Sequence, residues 1–210
     1  MAIIAELKFA SPSAGIIRKQ NDLEQILPQI QKGGACGISV LTEPTYFKGS
    51  FENLRAAASE TTLPLLMKDF LVAPYQVRAG RACGASNILV IAAICDLLTF
   101  MPLIKTNHLE PLVEIHSEQE LPSLQRIQPK LVGVNNRNLH NLKIDFETSR
   151  RLIPMIRDLL GEDIIILSES GVKSRQDIEL LHSYGADGFL VGSSLMETEN
   201  LRSKLEELTG

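Results

Sequence analysis

The chain has 210 residues, of which 44% are hydrophobic, so a single domain covering residues 1–210 with a sizeable core is expected. Its formal net charge of −4 does not indicate nucleic-acid binding, which usually requires a strong basic excess. No apolar run is long enough to cross a bilayer, and the N-terminus lacks the basic and apolar stretches of a secretion signal. These features predict a cytoplasmic protein without membrane or nucleic-acid partners.

Cysteines and histidines are few and widely spaced. Cys36, Cys83 and Cys95 lie in apolar segments, so we expect buried, reduced side chains rather than disulfides or zinc ligands. The histidines show no spacing typical of metal ligands, and no metal site is predicted. They are His108, His116, His140 and His182.

Eight short apolar segments recur along the chain. They are rich in Val, Ile and Leu on both faces, which is typical of parallel strands covered by helices. In chain order they are AIIAELK (2–8), CGISVLT (36–42), PLLMK (64–68), NILVIA (87–92), PLVEI (111–115), LVGVN (131–135), DIIILSES (163–170) and GFLVGS (188–193).

The stretches between these strands have the periodicity of helices. DLEQILPQIQKGG (22–34) ends on a glycine pair, as helices often do, and residues 146–161, 175–185 and 199–208 have one apolar face. Eight strand–helix units predict an α/β fold, a (β/α)8 TIM barrel. A doubly wound open sheet is the alternative, but no glycine-rich fingerprint follows the first strand.

Two prolines fit this prediction poorly. The fourth helix must come from residues 95–108, where Pro102 is expected to break a regular helix. Pro28 raises the same difficulty, more mildly, in the first helix.

Polar side chains stand at the ends of most predicted strands. Because strand side chains alternate between faces, Glu6 and Lys8 share one face, which we expect to point inward with Ile4. A barrel brings such strand ends to one mouth, where two lysines, three carboxylates and an amide would meet. Solvated strand ends, or a simple Glu6–Lys8 pair, are the alternative. The same pairing of a packing residue with a polar one recurs at Leu66 and Lys68, Leu112 and Glu114, Gly133 and Asn135, and Leu167 and Glu169.

Two glycine turns suggest a phosphate site. The seventh strand ends on ESG (169–171), and the eighth ends on GSS (192–194) before a short helix. Ser194 and Glu197 fit a capping box at the start of that helix. Barrels commonly bind phosphate with the loops that follow strands seven and eight. Two ordinary glycine turns are the alternative.

These residues together resemble a known family. The chain is similar to indole-3-glycerol phosphate synthases, and the similarity runs in order from the first strand to the last. The segments that carry it are IAELKFASPSAG (4–15), ISVLTEPTYFKGS (38–50), LLMKDF (65–70), LEPLVEI (109–115), GVNNRNL (133–139), SESGV (168–172) and FLVGSSLM (189–196).

The resemblance implies a ring closure in tryptophan biosynthesis. The family converts 1-(2-carboxyphenylamino)-1-deoxyribulose 5-phosphate, a small anionic phosphorylated substrate, into indole-3-glycerol phosphate, releasing carbon dioxide and water. It uses no metal and no organic cofactor, and a monomer is expected.

The resemblance also implies catalytic roles. Lys68 matches the general acid that protonates the substrate's carbonyl oxygen, and we expect desolvation to lower its pKa towards working pH. Glu114 matches the carboxylate that stabilises a cationic intermediate and takes part in dehydration. Lys8 matches a lysine that assists loss of the hydroxyl group. The positions that arrange groups around these, or lie in the pocket floor, match Glu6, Asn135 and Glu169.

Binding roles follow from the same motifs. Ser11 and Arg137 match positions near the substrate's carboxylate, and Phe47 and Phe70 match aromatic walls for the anthranilate ring. The phosphate site, with Ser170 as a further substrate-binding residue, matches Gly171, Gly192 and Ser193.

Some features depart from the family or permit other interpretations. Members usually carry a further helix before the first strand, so the resemblance implies a barrel truncated at its N-terminus. A shortened non-catalytic barrel that only binds phosphorylated ligands is therefore an alternative. A Schiff-base aldolase using Lys68 is another. Phosphoribosylanthranilate isomerase is set aside, because it needs a cysteine where Lys8 stands.

Overall fold

A closed barrel of eight parallel strands forms the centre of the molecule. The computed structural model describes residues 1–12, 14–18, 22–139 and 141–210; Ser13 of the first motif and His140 lie outside these residues. The barrel strands are β1 (Ala2–Leu7), β4 (Gly37–Leu41), β5 (Leu65–Lys68), β6 (Asn87–Ile91), β7 (Glu110–Ile115), β8 (Leu131–Asn135), β9 (Ile165–Glu169) and β10 (Gly188–Val191). Around the barrel the order is β1-β10-β9-β8-β7-β6-β5-β4, and β4 pairs with β1 to close it. The predicted (β/α)8 fold is therefore confirmed.

Helices alternate with the strands and cover the outside of the barrel. A small hairpin, β2 (Ala10–Ser11) with β3 (Gly15–Ile16), follows the first barrel strand, and a 3-10 turn at Glu118–Glu120 precedes the fifth helix. The helices are α1 (Leu23–Lys32), α2 (Phe51–Glu60), α3 (Tyr75–Ala82), α4 (Leu97–Thr106), α5 (Leu121–Ile127), α6 (Glu147–Leu160), α7 (Arg175–Ser183), α8 (Ser193–Met196) and α9 (Leu201–Thr209).

Alternation along each strand separates two apolar cores. On β1, Ile3, Ala5 and Leu7 point outward into the large core between the strands and the helices. Ile4 points inward with the aliphatic side chains that fill the barrel. The polar residues two positions further along the strands also point inward, so the alternation fixes where the predicted site residues lie. The inner cluster comprises Leu66, Leu89, Ile91, Leu112, Leu167 and Leu190.

Prolines do not interrupt the helices, and the expectation of a break at Pro102 is wrong. Pro102 lies inside the continuous helix α4, and Pro28 lies inside α1. Both are exposed, as is Pro154 within α6. A proline removes one intrahelical hydrogen bond, but on the solvent side water can bind the freed carbonyl. The apolar faces of these helices remain packed on the barrel.

Two of the three cysteines are buried as expected. Cys83 and Cys95 are buried, whereas Cys36 is exposed. Cys36 lies immediately before β4, at the amino end of the strand, where the barrel surface is open to solvent. All three are free thiols. Within the described ranges, no helix is long and apolar enough to span a membrane.

Candidate active site

The carboxyl ends of the strands surround a cavity of about 760 Å³. All but one of the site residues predicted from the sequence line it. The exception is Glu169, which is completely buried beneath the cavity. The lining residues from that prediction are Glu6, Lys8, Ser11, Phe47, Lys68, Phe70, Glu114, Asn135, Arg137, Ser170, Gly171, Gly192 and Ser193.

Lys68, at the end of β5, lies at the centre of the charged groups. Its Nζ donates to Glu169 Oε2 at 2.8 Å and to Glu6 Oε2 at 3.2 Å. Glu114 Oε2 lies 4.0 Å from the same Nζ, and Lys8 Nζ lies 2.8 Å from Glu6 Oε1. Charged residues from the four strands β1, β5, β7 and β9 therefore meet in one network, together with Lys8 just after β1.

The pKa of Lys68 moves in the opposite direction to the one expected. Burial alone would lower this pKa, but the carboxylates of Glu169, Glu6 and Glu114 outweigh burial and raise it well above 10.5. Lys68 therefore stays an ammonium at physiological pH. A Schiff-base aldolase needs a neutral amine as its nucleophile, so this pKa disfavours that alternative.

Glu6 connects the two lysines. Burial raises its pKa, but Lys8 and Lys68 more than offset this effect, and the pKa of Glu6 falls to about 2. A side chain at position 192 would collide with Glu6, so Gly192 leaves the space that this carboxylate occupies. Glu6 is thus a permanent anion fixed between two cations.

Glu169 occupies the most enclosed position of the network. A Cβ at position 133 would overlap its carboxylate, so Gly133 on the neighbouring strand β8 makes room for it. Burial raises the pKa of Glu169, Lys68 lowers it and Glu114 raises it again, with a net pKa well above 4.5. Glu169 therefore takes up a proton far more readily than a surface glutamate.

The two carboxylate oxygens of Glu114, near the end of β7, have different surroundings. Asn135 Nδ2 donates to Glu114 Oε1 at 3.1 Å, and His116 Nε2 lies 3.1 Å from the same oxygen. Burial raises the pKa of Glu114, but His116 and Lys68 outweigh burial and lower it well below 4.5. Glu114 Oε2 is buried and has no hydrogen-bond partner among the described residues. That oxygen faces Lys68 Nζ at 4.0 Å, and Glu114 also interacts with Glu169, so Oε2 belongs to the charged network.

Aromatic rings form one wall of the cavity. The centroids of Phe47 and Phe70 lie 6.3 Å apart, and the ring planes are tilted by 48°. Glu43, which sequence reasoning missed, positions the first of these rings. Its carboxylate accepts from the backbone N–H groups of Tyr46 at 2.7 Å and Phe47 at 3.1 Å.

The predicted phosphate site lies where strands β9 and β10 end. Ser170 and Gly171 both have positive φ, at 66° and 99°, so the chain turns sharply there. Helix α8 begins at Ser193, and the first N–H groups of a helix have no acceptor within it. The predicted capping box is wrong: Gly192 is the N-cap, and the Ser194 hydroxyl instead donates to the carbonyl of Val172 at 2.8 Å.

Ser11 and Arg137 lie on the rim of the same cavity. Ser11 Oγ accepts from the backbone N–H of Ala14 at 3.1 Å. Arg137 donates through its backbone N–H to Asn135 Oδ1 at 3.0 Å and through Nη1 to the carbonyl of Leu142 at 3.0 Å. A guanidinium has five N–H donors, so Arg137 can bind an anion while keeping this contact.

Comparison with known proteins identifies the family. The family model described as indole-3-glycerol phosphate synthase matches residues 1–208. This chain belongs to the indole-3-glycerol phosphate synthase family. Proteins of that name from Legionella pneumophila (strain Paris) and Aquifex aeolicus (strain VF5) are 40% and 41% identical to it. Each alignment covers 99% of this chain, with 80% of the first relative and 81% of the second.

The relatives carry the name of an enzyme, a carboxy-lyase of tryptophan biosynthesis, so the alternative of a non-catalytic barrel is not supported.

Solved structures agree on the fold. A mutant tryptophan synthase alpha-subunit from Pyrococcus furiosus has a TM-score of 0.75 at 16% identity, covering 99% of this chain and 97% of that chain. A thiamine phosphate pyrophosphorylase from the same organism has a TM-score of 0.71 at 15% identity, with 99% and 93% covered. At such identities the likeness shows the barrel fold alone.

Asn136, which sequence reasoning missed, supports this indole-3-glycerol phosphate synthase family site from outside the cavity. Its Nδ2 donates to Ser168 Oγ at 2.9 Å and to the carbonyl of Glu169 at 3.0 Å, while its Oδ1 accepts from Ser149 Oγ at 2.8 Å. This buried network fixes the end of β9 against α6. Strand alternation indicates the adjacent Asn135 as a site residue because its side chain faces the barrel interior, whereas the side chain of Asn136 points outward.

Proposed function

We propose that this chain catalyses the ring closure of 1-(2-carboxyphenylamino)-1-deoxyribulose 5-phosphate to indole-3-glycerol phosphate, with loss of carbon dioxide and water. The observation that carries the proposal is the contact of Lys68 with Glu169 and Glu6 at the floor of a cavity walled by phenyl rings. Membership of the family supports the same reaction.

In the first step, the aromatic ring carbon that bears the carboxylate attacks the substrate's carbonyl carbon. A carbon–carbon bond forms, and the carbonyl oxygen gains negative charge. Lys68 stabilises this charge as a fixed ammonium and gives its proton to the oxygen. Its raised pKa ensures that the proton is present, and the growing basicity of the oxygen drives the transfer.

Carbon dioxide then leaves, and the resulting hydroxyl group departs as water. The intermediate carries positive charge on the ring nitrogen, and the carboxylate of Glu114, which lines the cavity, provides the nearby negative charge that stabilises it. Lys8, held by Glu6 at 2.8 Å, gives a proton to the departing hydroxyl group, and Glu114 takes the proton that the adjacent ring carbon loses as the indole ring forms. Asn135 keeps Glu114 in place, and Glu169 orients Lys68 from below.

Binding at both ends of the substrate provides orientation. Gly171, Gly192 and Ser193 are proposed to bind the phosphate, while Arg137 and Ser11 bind the carboxylate, with Ser170 between the two regions. Phe47 and Phe70 would pack against the anthranilate ring. Fixing a reactant in this way can contribute several orders of magnitude to a rate.

A cytoplasmic location is proposed for this activity. Free thiols at Cys36, Cys83 and Cys95 fit a reducing compartment. The cavity is built from the strand ends of one chain, so a monomeric single domain is proposed to suffice for activity.

The test is the formation of indole-3-glycerol phosphate, followed by fluorescence. We expect Lys68→Ala to lower kcat by about 10²–10⁴-fold, the usual contribution of a general acid. Lys105→Ala, an exposed lysine in the last turn of α4, is the matched control and should leave kcat unchanged. Lys68→Arg keeps the charge, so it separates loss of proton donation from loss of folding. Absence of turnover by the unmodified chain would refute the function, and full activity of Lys68→Ala would refute the role of Lys68.

A further inference from the structure

His116 extends the charged network behind Glu114, outside the cavity. It follows the last residue of β7, two positions after Glu114, so the two side chains leave the backbone on the same side. Nε2 of the imidazole lies 3.1 Å from Glu114 Oε1, and Nδ1 lies 3.6 Å from Glu120 Oε2. Only 10% of the side chain is exposed, and it is absent from the cavity lining.

Glu120 is itself fixed by neighbouring donors. Its Oε1 accepts from the His116 backbone N–H at 3.1 Å and from Ser117 Oγ at 2.7 Å. The 3-10 turn at Glu118–Glu120 therefore presents a carboxylate to the outer side of the imidazole. A carboxylate, a histidine and a second carboxylate form a continuous row from the turn to the active site.

Both ring nitrogens face carboxylate oxygens, which can only accept hydrogen bonds when ionised. This arrangement favours a proton on each nitrogen, that is, an imidazolium. Burial lowers the pKa of His116, but Glu114 and Glu120 outweigh it and raise the pKa to about 9. Both ring nitrogens lie within ion-pair distance of a carboxylate oxygen, but neither forms a well-aligned hydrogen bond. The interaction is therefore mainly electrostatic.

We propose that His116, supported by Glu120, is a positioning residue that fixes the Glu114 carboxylate for catalysis. The proposal rests on the role given above to Glu114. His116 and Asn135 both address Glu114 Oε1, which leaves Oε2 directed towards Lys68, 4.0 Å away. The imidazolium also offsets the negative charge of Glu114 in a site where Glu169 is a second carboxylate.

The charges around this row set the sign of its pH dependence. Glu114 faces Lys68 from β5 and Glu169 from β9, while the ionisable groups within ion-pair distance of His116 in the described residues are Glu114 and Glu120. Replacement of His116 by a neutral side chain removes the cation beside Glu114 and therefore raises the pKa of Glu114. The acidic limb of the pH–rate profile should therefore move to higher pH.

The kinetic test compares two variants of His116. His116→Phe keeps a planar ring but has no N–H donor. His116→Gln keeps an amide N–H donor that can reach Glu114. We expect His116→Phe to lower kcat roughly 10–100-fold, as loss of a supporting residue commonly does, with little change in KM. His116→Gln should recover part of that loss. The ratio of the wild-type kcat to the kcat of His116→Phe should fall above about pH 9, where His116 loses its charge.

A second measurement is independent of turnover. Histidine NMR signals, assigned with His116→Gln, should show His116 titrating well above 6.5, and Glu120→Gln should lower that pKa. His182, exposed on α7, provides the reference signal and the control variant His182→Gln. A His116 that titrates near 6.5, or a His116→Phe variant with the kcat and pH profile of the wild type, would overturn the proposal. If the wild type is inactive but His116 titrates as expected, the proposed function is wrong, while the ion pairs of His116 with Glu114 and Glu120 are supported.

Discussion

Two layers inside the barrel come from the same strands but have opposite properties. The aliphatic layer consists of Ile4, Leu66, Leu112 and Leu167, and the charged layer, two residues further along each strand, consists of Glu6, Lys68, Glu114 and Glu169. The side chains of both layers are largely buried, so the comparison separates side-chain chemistry from burial.

The difference lies in what burial does to each layer. Burying an aliphatic side chain stabilises the fold by roughly 1.5–3 kcal/mol. Burying a charge is unfavourable by several kcal/mol, as a rough figure, and pairing only partly compensates. The charged layer is therefore expected to contribute chemistry, while the aliphatic layer beneath it contributes the stability that holds the charges in position.

Among exchanges that compare the two layers, Glu114→Gln should produce the largest effect on kcat. The amide keeps the size of the side chain but removes the charge opposite the cationic intermediate. We expect kcat to fall by about 10²–10³-fold, the usual range for a preorganised electrostatic group, while urea unfolding changes little. Steady-state fluorescence assays and urea titration measure both quantities. A large loss of stability with unaltered kcat would reverse the assignment of the two layers.

Exchange of Leu112 for Ala, one layer below on the same strand, should give the converse result. Leu112 is completely buried, so the cavity created should lower the free energy of unfolding by about 2–5 kcal/mol. The folded protein should retain most of its kcat, measured at a temperature where it is fully folded. Unchanged stability would mean that the aliphatic layer does not support the barrel.

Addition of a methyl group at Gly133 tests the boundary between the layers. The new Cβ would collide with Glu169 Oε1, so Gly133→Ala should lower stability by about 1–3 kcal/mol and displace Lys68. Shortening the acid in Gly133→Ala/Glu169→Asp should relieve the collision and restore part of the stability. Failure of the second change to restore any stability would place the strain elsewhere.

Removal of a helix cap far from both layers should have the smallest effect. Ser174 caps α7 by accepting from the Asp177 backbone N–H, and Asp177 returns the contact in a capping box. Ser174→Ala should lower the free energy of unfolding by about 1 kcal/mol. kcat should stay at the wild-type value, and a fall in kcat would show that the site depends on stability as a whole.

Strand positions and inward-facing residues followed from sequence because both depend on local rules. The segment predicted at residues 131–135 is the observed β8, and the pairing of Leu112 with Glu114 has the predicted inward direction. Alternation of side chains is a property of the extended backbone, so it survives in any parallel barrel.

Predictions failed where the outcome depended on neighbours from other elements. Pro102 is accommodated because its side of α4 faces solvent. The pKa of Lys68 is raised because three carboxylates from three other strands surround it, which no inspection of β5 could weigh against burial. The sequence analysis gives His116 no role, although its spacing of two from Glu114 places both side chains on the same side of the strand.

The sequence alone determined the barrel, the family and the set of polar residues at its mouth, because hydrophobic periodicity and motif order are written along the chain. Tertiary structure decided the state of those residues: which carboxylates contact Lys68, which groups face each oxygen of Glu114, and which groups stay charged. The physical reason is that electrostatic energies depend on distances between residues from different strands, and those distances exist only once the barrel has closed.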